Sequence, residues 1–317
     1  MEYPTVDIVT AILRKHSDVL GLESITHVET SAIGQGEANR NVLVTVNQSR
    51  DFNLRIGLRD TESERTLQGE FDVLQRVPEG IGPRAFVVDF SRTDISAPYM
   101  VLEYVAGMVK QTWDRADLEA HARTLARLHR QKFDRHGTLG QLSDASYDFL
   151  HRFDVAVDYW RTNHPYLLDI PFVKRLLPAV RHFVADNNDL FMGLERFSLV
   201  HGDAHPQNIL FDGNRLWYID WEWAVVGDPA CDIAMLGWDI ATHWQMELTG
   251  ERLDGFLEAY LALEPDDTLR QRRDVWMVYT MCFDQIYHRT QIATDTTGRQ
   301  LYTVQQIERY LTERFLL

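Results

Sequence analysis

An α+β fold is predicted for this 317-residue chain, with a small β-rich N-terminal lobe and a larger, mostly helical C-terminal lobe. Three observations carry the prediction. Residues 25–60 hold three short runs with strand-like composition. From residue 115 onward most segments repeat their apolar residues at helical spacing. One strand–turn–strand segment, within 209–220, interrupts that helical stretch.

Ile8, Val9, Ile12, Leu13 and Leu20 recur at near-helical intervals, so one helix is expected over 6–20. The runs THVETSAIG, NVLVTVN and FNLRIGL read as strands, and residues 62–77 as a helix. Residues 98–108, PYMVLEYVAGM, read as a buried strand followed by a turn at Gly107. Leu118, Leu125 and Leu128 form one stripe of a helix over 115–131. Further helices are expected over 145–162, 171–187, 229–244, 252–264, 268–291 and 302–315. Two domains are expected, residues 1–104 and 105–317, joined by a short hinge rather than a linker.

The hydrophobic share of 45% permits a sizeable core. There is no apolar run of about 18 residues of the kind that spans a membrane, and the N-terminus MEYPTVDIVT does not read as a secretory signal. The two cysteines, Cys231 and Cys282, show no metal-site spacing, and a reduced cytoplasm is the simplest setting. The formal charge of −15 argues against nucleic acid, whose phosphates would be repelled, and is compatible with a cationic small substrate. Lysine is scarce, at four residues, and arginine abundant.

The most informative segment runs from Ser198 to Asp239: SLVHGDAHPQNILFDGNRLWYIDWEWAVVGDPACDIAMLGWD. Asp203 is followed five residues later by Asn208. A short apolar run, Ile209-Leu210-Phe211, meets the turn Asp212-Gly213-Asn214, and a second run ends at Asp220. A tight hairpin is expected to hold Asp203, Asn208 and Asp220 near one point. Phosphoryl transfer to a hydroxyl needs positioning, charge neutralisation and a destination for the hydroxyl proton. Asp203 suits the proton acceptor. Asn208 and Asp220 offer oxygen ligands for a hard cation such as Mg²⁺. A zinc hydrolase using His201 and His205 is the competing reading, but zinc needs three protein ligands and no third His stands at a recognisable spacing. His201, His205, His129, Asp228 and Asp232 read as structural bracing.

His201-Gly202-Asp203 through Asn208, then Ile219-Asp220-Trp221-Glu222 and the following Gly227–Ala234, resemble the catalytic segment of the aminoglycoside phosphotransferase and choline kinase family. The resemblance implies the two-lobed protein-kinase-like fold. It implies a Mg²⁺-dependent O-phosphotransferase with ATP, or GTP, as co-substrate. Gly34 and Gly36 then fall in the nucleotide loop. Arg55 takes the place where the family sets Lys or Arg on the nucleotide phosphates, and Glu70 that of its pairing glutamate. The carbonyl of Glu103 and the amide of Val105 would read the adenine.

Only seven residues separate Asp220 from Asp228, too few for the activation segment of a peptide kinase, so a small-molecule hydroxyl is the expected acceptor. The resemblance puts the acceptor pocket in the helical lobe, with candidates Glu222, Trp223, Trp238, Asp239, Asp284 and His288. Carboxylates with aromatic faces suit an ammonium-bearing ligand. An aminoglycoside-like antibiotic is favoured, choline or another amino alcohol or sugar is the alternative, and a non-catalytic nucleotide-binding module a third.

Overall fold

The computed structural model describes residues 3–35, 39–58, 60–110, 112–235 and 251–316. They divide into two compact units. The first comprises Met1–Met108, Thr138–Gly140 and Asn208–Ala224; the second comprises Val109–Gly137, Gln141–Gln207 and Val225–Leu317. The hairpin at 208–224 therefore groups with the N-terminal residues, although it is distant from them in sequence.

The first unit begins with α1 (Val6–Lys15), whose first turn is capped by Thr5 Oγ1 accepting from the Ile8 amide at 3.4 Å. The chain leaves helical geometry at His16 and resumes as α2 (Ser17–Leu20), so the single helix expected over 6–20 is two. Strands β1 (Val28–Gln35), β2 (Asn39–Val46) and β3 (Arg50–Gly57) precede α3 (Asp60–Leu74), β4 (Ala85–Asp89) and β5 (Tyr99–Glu103). The sheet order is β1-β2-β3-β5-β4, with every neighbour antiparallel. Strand alternation sends Val42, Val44, Val46, Phe52, Leu54 and Ile56 into one core with Val9, Ile12 and Leu13. Lys15 secures α1 by reaching Asp89 and Asp94 at 2.7 Å each. The alternate residue Arg55 stands on the opposite face of the sheet, in register with Asn41 and Met100.

The chain continues through β6 (Met108–Val109), α4 (Arg115–His129) and the short strands β7 (Lys132–Phe133), β8 (His136–Thr138) and β9 (Gln141–Ser143). Helices α5 (Phe149–Asn163), α6 (Pro165–Leu168), α7 (Pro171–Asp186) and α8 (Asp189–Met192) precede β10 (Phe197–Val200). The hairpin is β11 (Ile209–Phe211) and β12 (Leu216–Tyr218), followed by β13 (Val225–Gly227), α9 (Ala230–Ala234), α10 (Glu251–Leu261), α11 (Leu269–Gln291) and α12 (Arg299–Phe315). The helix expected over 229–244 opens as α9; its part from 236 lies outside the described residues. In the second unit α11 packs on α7, α9 and α12, and α4 packs on α10. The very short strands were not read in the sequence, because two or three residues carry no measurable period.

Candidate active site

In the first unit, β3 presents Arg55 and α3 presents Glu70, both buried. Arg55 Nη1 donates to Glu70 Oε1 at 3.0 Å, and Arg55 Nη2 donates to Asp220 Oδ1. The Trp221 amide donates to the same Glu70 oxygen at 3.4 Å. Glu70 Oε2 has no hydrogen-bond partner among the described residues. Burial pushes the Glu70 carboxyl up to about 7, against the opposing pull of Arg55, and the nearby Asp220 and Glu222 push the same way as burial. Burial works against the charge on Arg55, yet its carboxylate neighbours hold it protonated above its ordinary value.

Asp220 follows β12 and is fixed by it. Asp212 Oδ1 accepts from the Asn214 and Arg215 amides at 2.8 and 2.9 Å, and Gly213 supplies a φ of +99°. That is the turn the Asp-Gly-Asn sequence predicts. The Ile219 amide then donates to the Asn208 carbonyl at 2.9 Å, which brings the two expected metal ligands onto adjoining backbone. Asp220 itself adopts φ +66°, a left-handed conformation costly for a residue with a Cβ. Its side chain is 40% exposed, while Trp221 beside it is buried and donates Nε1–H to the Tyr218 carbonyl at 2.8 Å. A Cβ on Gly82 would meet Trp221 Nε1 at 2.9 Å, so glycine is required where the indole lies.

In the second unit, Asp203 sits on the loop after β10. Asp232 of α9 is fully buried beneath it. Asp232 Oδ2 accepts from the His201 amide at 2.8 Å and lies 3.0 Å from His129 Nε2; Oδ1 accepts from the Gly202 amide at 2.8 Å. Burial works against its charge, but the His129 hydrogen bond and the His201 amide keep the carboxyl below its ordinary value. Gly202 takes φ +79°, which a glycine adopts without strain. His201 Nδ1 accepts from the Asp203 amide at 3.2 Å, and His205 Nε2 lies 3.5 Å from Asp203 Oδ2. Asp228 takes a capping bond from the Ala230 amide at 3.0 Å and pairs with the buried Arg272 at 3.1 Å.

The structure thus brings Arg55, Glu70, Asn208, Asp220 and Glu222 into the first unit and Asp203 into the second. Gly34 pairs with Asn41 just past a register shift in β1; Gly36 lies outside the described residues. The Glu103 amide donates to the Arg84 carbonyl at 2.8 Å, and Val105 follows it toward Gly107, where a Cβ would meet the Phe211 carbonyl at 3.1 Å. Of the acceptor candidates, Glu222 and Trp223 belong to the first unit rather than to the helical one. There they line a cleft with Asn39, Ser63 and Arg65. Ser63 and Arg65 carry no sequence signal for this role, since α3 reads only as a solvated helix. Asp284 is half-buried on α11, and His288 Nδ1 lies 2.5 Å from Gln300 Oε1. Trp238 and Asp239 lie outside the described residues.

The model of the phosphotransferase enzyme family matches residues 29–275. The chain belongs to the phosphotransferase enzyme family. It is an ATP-dependent phosphotransferase that acts on a hydroxyl group of a small molecule. Solved structures agree in fold. A choline kinase from Cryptosporidium parvum Iowa II is 15% identical with a TM-score of 0.68, covering 98% of this chain and 95% of its own. The ternary complex of streptomycin, ATP and APH(2″)-IIa is 19% identical with a TM-score of 0.61, covering 90% and 91%. A thermostable mutant of aminoglycoside phosphotransferase APH(4)-Ia with ADP and hygromycin B is 16% identical with a TM-score of 0.63, covering 95% and 97%. The phosphotransferase enzyme thus has the protein-kinase-like α+β fold. No curated protein matches it. Among the described residues no helix is long and apolar enough to cross a membrane.

Proposed function

We propose that this phosphotransferase moves the γ-phosphoryl group of ATP to a hydroxyl of an aminoglycoside-like amine, with choline, another amino alcohol or a sugar as the alternative class. The observation that carries the reading is the Arg55 guanidinium bridging the buried Glu70 and the half-exposed Asp220. A planar donor fork held from behind by one carboxylate suits an oxyanion in front of it. In this reading Arg55 steadies the nucleotide phosphates and Glu70 orients Arg55. Amides of the loop around Gly34 and Gly36 cover the phosphates, and the Glu103 carbonyl and Val105 amide contact the adenine. Asp203 orients the acceptor hydroxyl and takes its proton as the new O–P bond forms. His205, 3.5 Å from the Asp203 carboxylate, supports that orientation.

The donor set fits magnesium. Asn208 and Asp220 offer hard oxygen ligands of the kind magnesium takes. When bound there, Mg²⁺ would neutralise charge on the transferring phosphoryl group. Glu222, Trp223, Asp284 and His288 are proposed contacts for a cationic acceptor. The test is ATP consumption across a panel of aminoglycosides, choline, amino alcohols and sugars, with Asp203→Asn as the control. Turnover that survives that substitution would remove Asp203 from the mechanism. GTP in place of ATP in the same assay reads nucleotide preference.

A further inference from the structure

Asn53 sits in the middle of β3, the central strand of the first unit's sheet. Strand interiors are poor in asparagine, whose amide packs badly between apolar neighbours and competes with the backbone ladder. Its neighbours in register are Leu43 on β2 and Leu102 on β5. Phe52, Leu54 and Ile56 occupy the core side of β3, so alternation turns Asn53 to the side that carries Arg55. There Asn53 Nδ2 donates to Asn41 Oδ1 at 3.2 Å. Asn53 Oδ1 is buried and has no hydrogen-bond partner among the described residues. A polar atom left in that state costs stability, and a bound group that donates to it removes the cost. The residue as a whole is only half-buried, and the terminal torsion of asparagine is soft, so the oxygen can turn to a ligand on this face.

Two anchors bracket this amide. Arg55, assigned above to the nucleotide phosphates, follows on the same face and pairs in register with Met100. On the other side Glu103, whose carbonyl is assigned to the adenine, pairs with Phe52, the residue before Asn53. Asn53 therefore stands on the base side of Arg55. Met100 and Leu102, which flank it on β5, are buried and apolar and give a base no polar partner from their side chains. With Nδ2 engaged by Asn41, the end of the Asn53 amide that remains is an acceptor.

We infer that Asn53 Oδ1 accepts a hydrogen bond from the 6-amino group of adenine, and that Asn53 thereby selects ATP against nucleotides with a 6-oxo base. The inference deepens the nucleotide contacts proposed above and rests on them. The 6-amino group carries two N–H bonds. The Glu103 carbonyl takes one, and the other needs an acceptor. A 6-oxo base sets an oxygen against the Asn53 oxygen and leaves both unpaired, which is the condition under which a site built for a hydrogen bond rejects an analogue. Turned the other way, the two asparagines would present an N–H and favour the 6-oxo base instead.

The experiment measures dissociation constants by thermal-shift titration for ATP, ITP and purine riboside 5′-triphosphate, which lacks the 6-amino group. It uses wild type, Asn53→Leu, Asn53→Ala and Arg55→Met. Leucine keeps the volume of asparagine and matches its in-register neighbours, so that variant folds; alanine tests the same loss with space opened. The wild type is expected to bind ATP most tightly. In both Asn53 variants the preference for ATP over purine riboside triphosphate is expected to shrink about 3- to 10-fold, on the scale of one lost hydrogen bond. A purely steric role would move all three nucleotides together and leave that ratio unchanged. Arg55→Met is expected to weaken all three alike; if it moves none, the phosphate reading fails while the base ratios still test Asn53. The inference is overturned if wild type binds no ATP, treats ATP and purine riboside triphosphate equally or prefers ITP, or if the ratio survives in both Asn53 variants.

Discussion

Two carboxylates, one in each unit, show how differently a folded chain uses the same side chain. Asp232 is wholly buried, and each of its oxygens accepts at least one hydrogen bond, from the His201 and Gly202 amides and from His129. Its desolvation is offset locally, so it acts as a fixed strut under the His201–Asp203 loop. Asp220 is 40% exposed, holds a left-handed backbone, and leans on an arginine whose other partner, Glu70, has one oxygen without a hydrogen-bond partner among the described residues. Strain and incomplete satisfaction are retained there, as expected of a site that must bind something. A satisfied buried carboxylate marks architecture; a strained, accessible one marks chemistry.

The comparison is broken most severely by Asp232→Ala. Two backbone amides and His129 lose their acceptor together, and unfolding in urea should show a loss of about 3–5 kcal/mol. Asp220→Gly should do the opposite. Glycine accepts φ +66° without strain, so stability should change by less than about 1 kcal/mol, while ATP-dependent transfer falls by at least ~10²-fold. Equal stability losses in these two variants would erase the distinction. Asp203→Asn should likewise cost at least ~10²-fold in turnover with little change in the urea midpoint, since the substitution is isosteric and the side chain is partly exposed.

Glu70 sharpens the contrast through pH. Its folded-state pKa of about 7 lies above the ordinary 4.5, so the folded protein holds this proton to higher pH than the unfolded chain. The stability it contributes is full below about pH 4.5 and is lost as pH rises through 7, on the order of 3 kcal/mol. Stability measured at pH 4.5, 6 and 8 should therefore fall more steeply in wild type than in Glu70→Gln; parallel profiles would refute the assignment. The smallest effect is expected from Gly202→Ala. Forcing a Cβ into φ +79° should cost about 1–2 kcal/mol, visible as a lower melting temperature, and should disturb Asp203 through its neighbouring backbone.

Much of the candidate site was legible because local chemistry carried it. Asp212, Gly213 and Asn214 announce a tight turn, and the turn is there, with the Asp212 carboxylate accepting two amides as such residues do. Phe52, Leu54 and Ile56 alternate into the core, which puts Arg55 on the opposite face of the sheet. The break at His16 was not legible, since the apolar residues on both sides belong to one core and keep a common period across the interruption. Glu222 and Trp223 were expected with the helical lobe, but residues 208–224 group with the N-terminal unit. Sequence proximity to the second unit gave no warning of that.

The sequence by itself determined the reaction class, the strand alternation and the hairpin, because spacing, turn chemistry and periodicity are written within a dozen residues. Only the tertiary structure decided that Arg55 is shared by Glu70 and Asp220, that Asp232 carries the His201–Asp203 loop, and that Arg152 rests on Trp276. Those facts join residues as many as 165 positions apart. Such pairings are fixed by how layers pack and by which buried charges must be satisfied, and no local pattern encodes them.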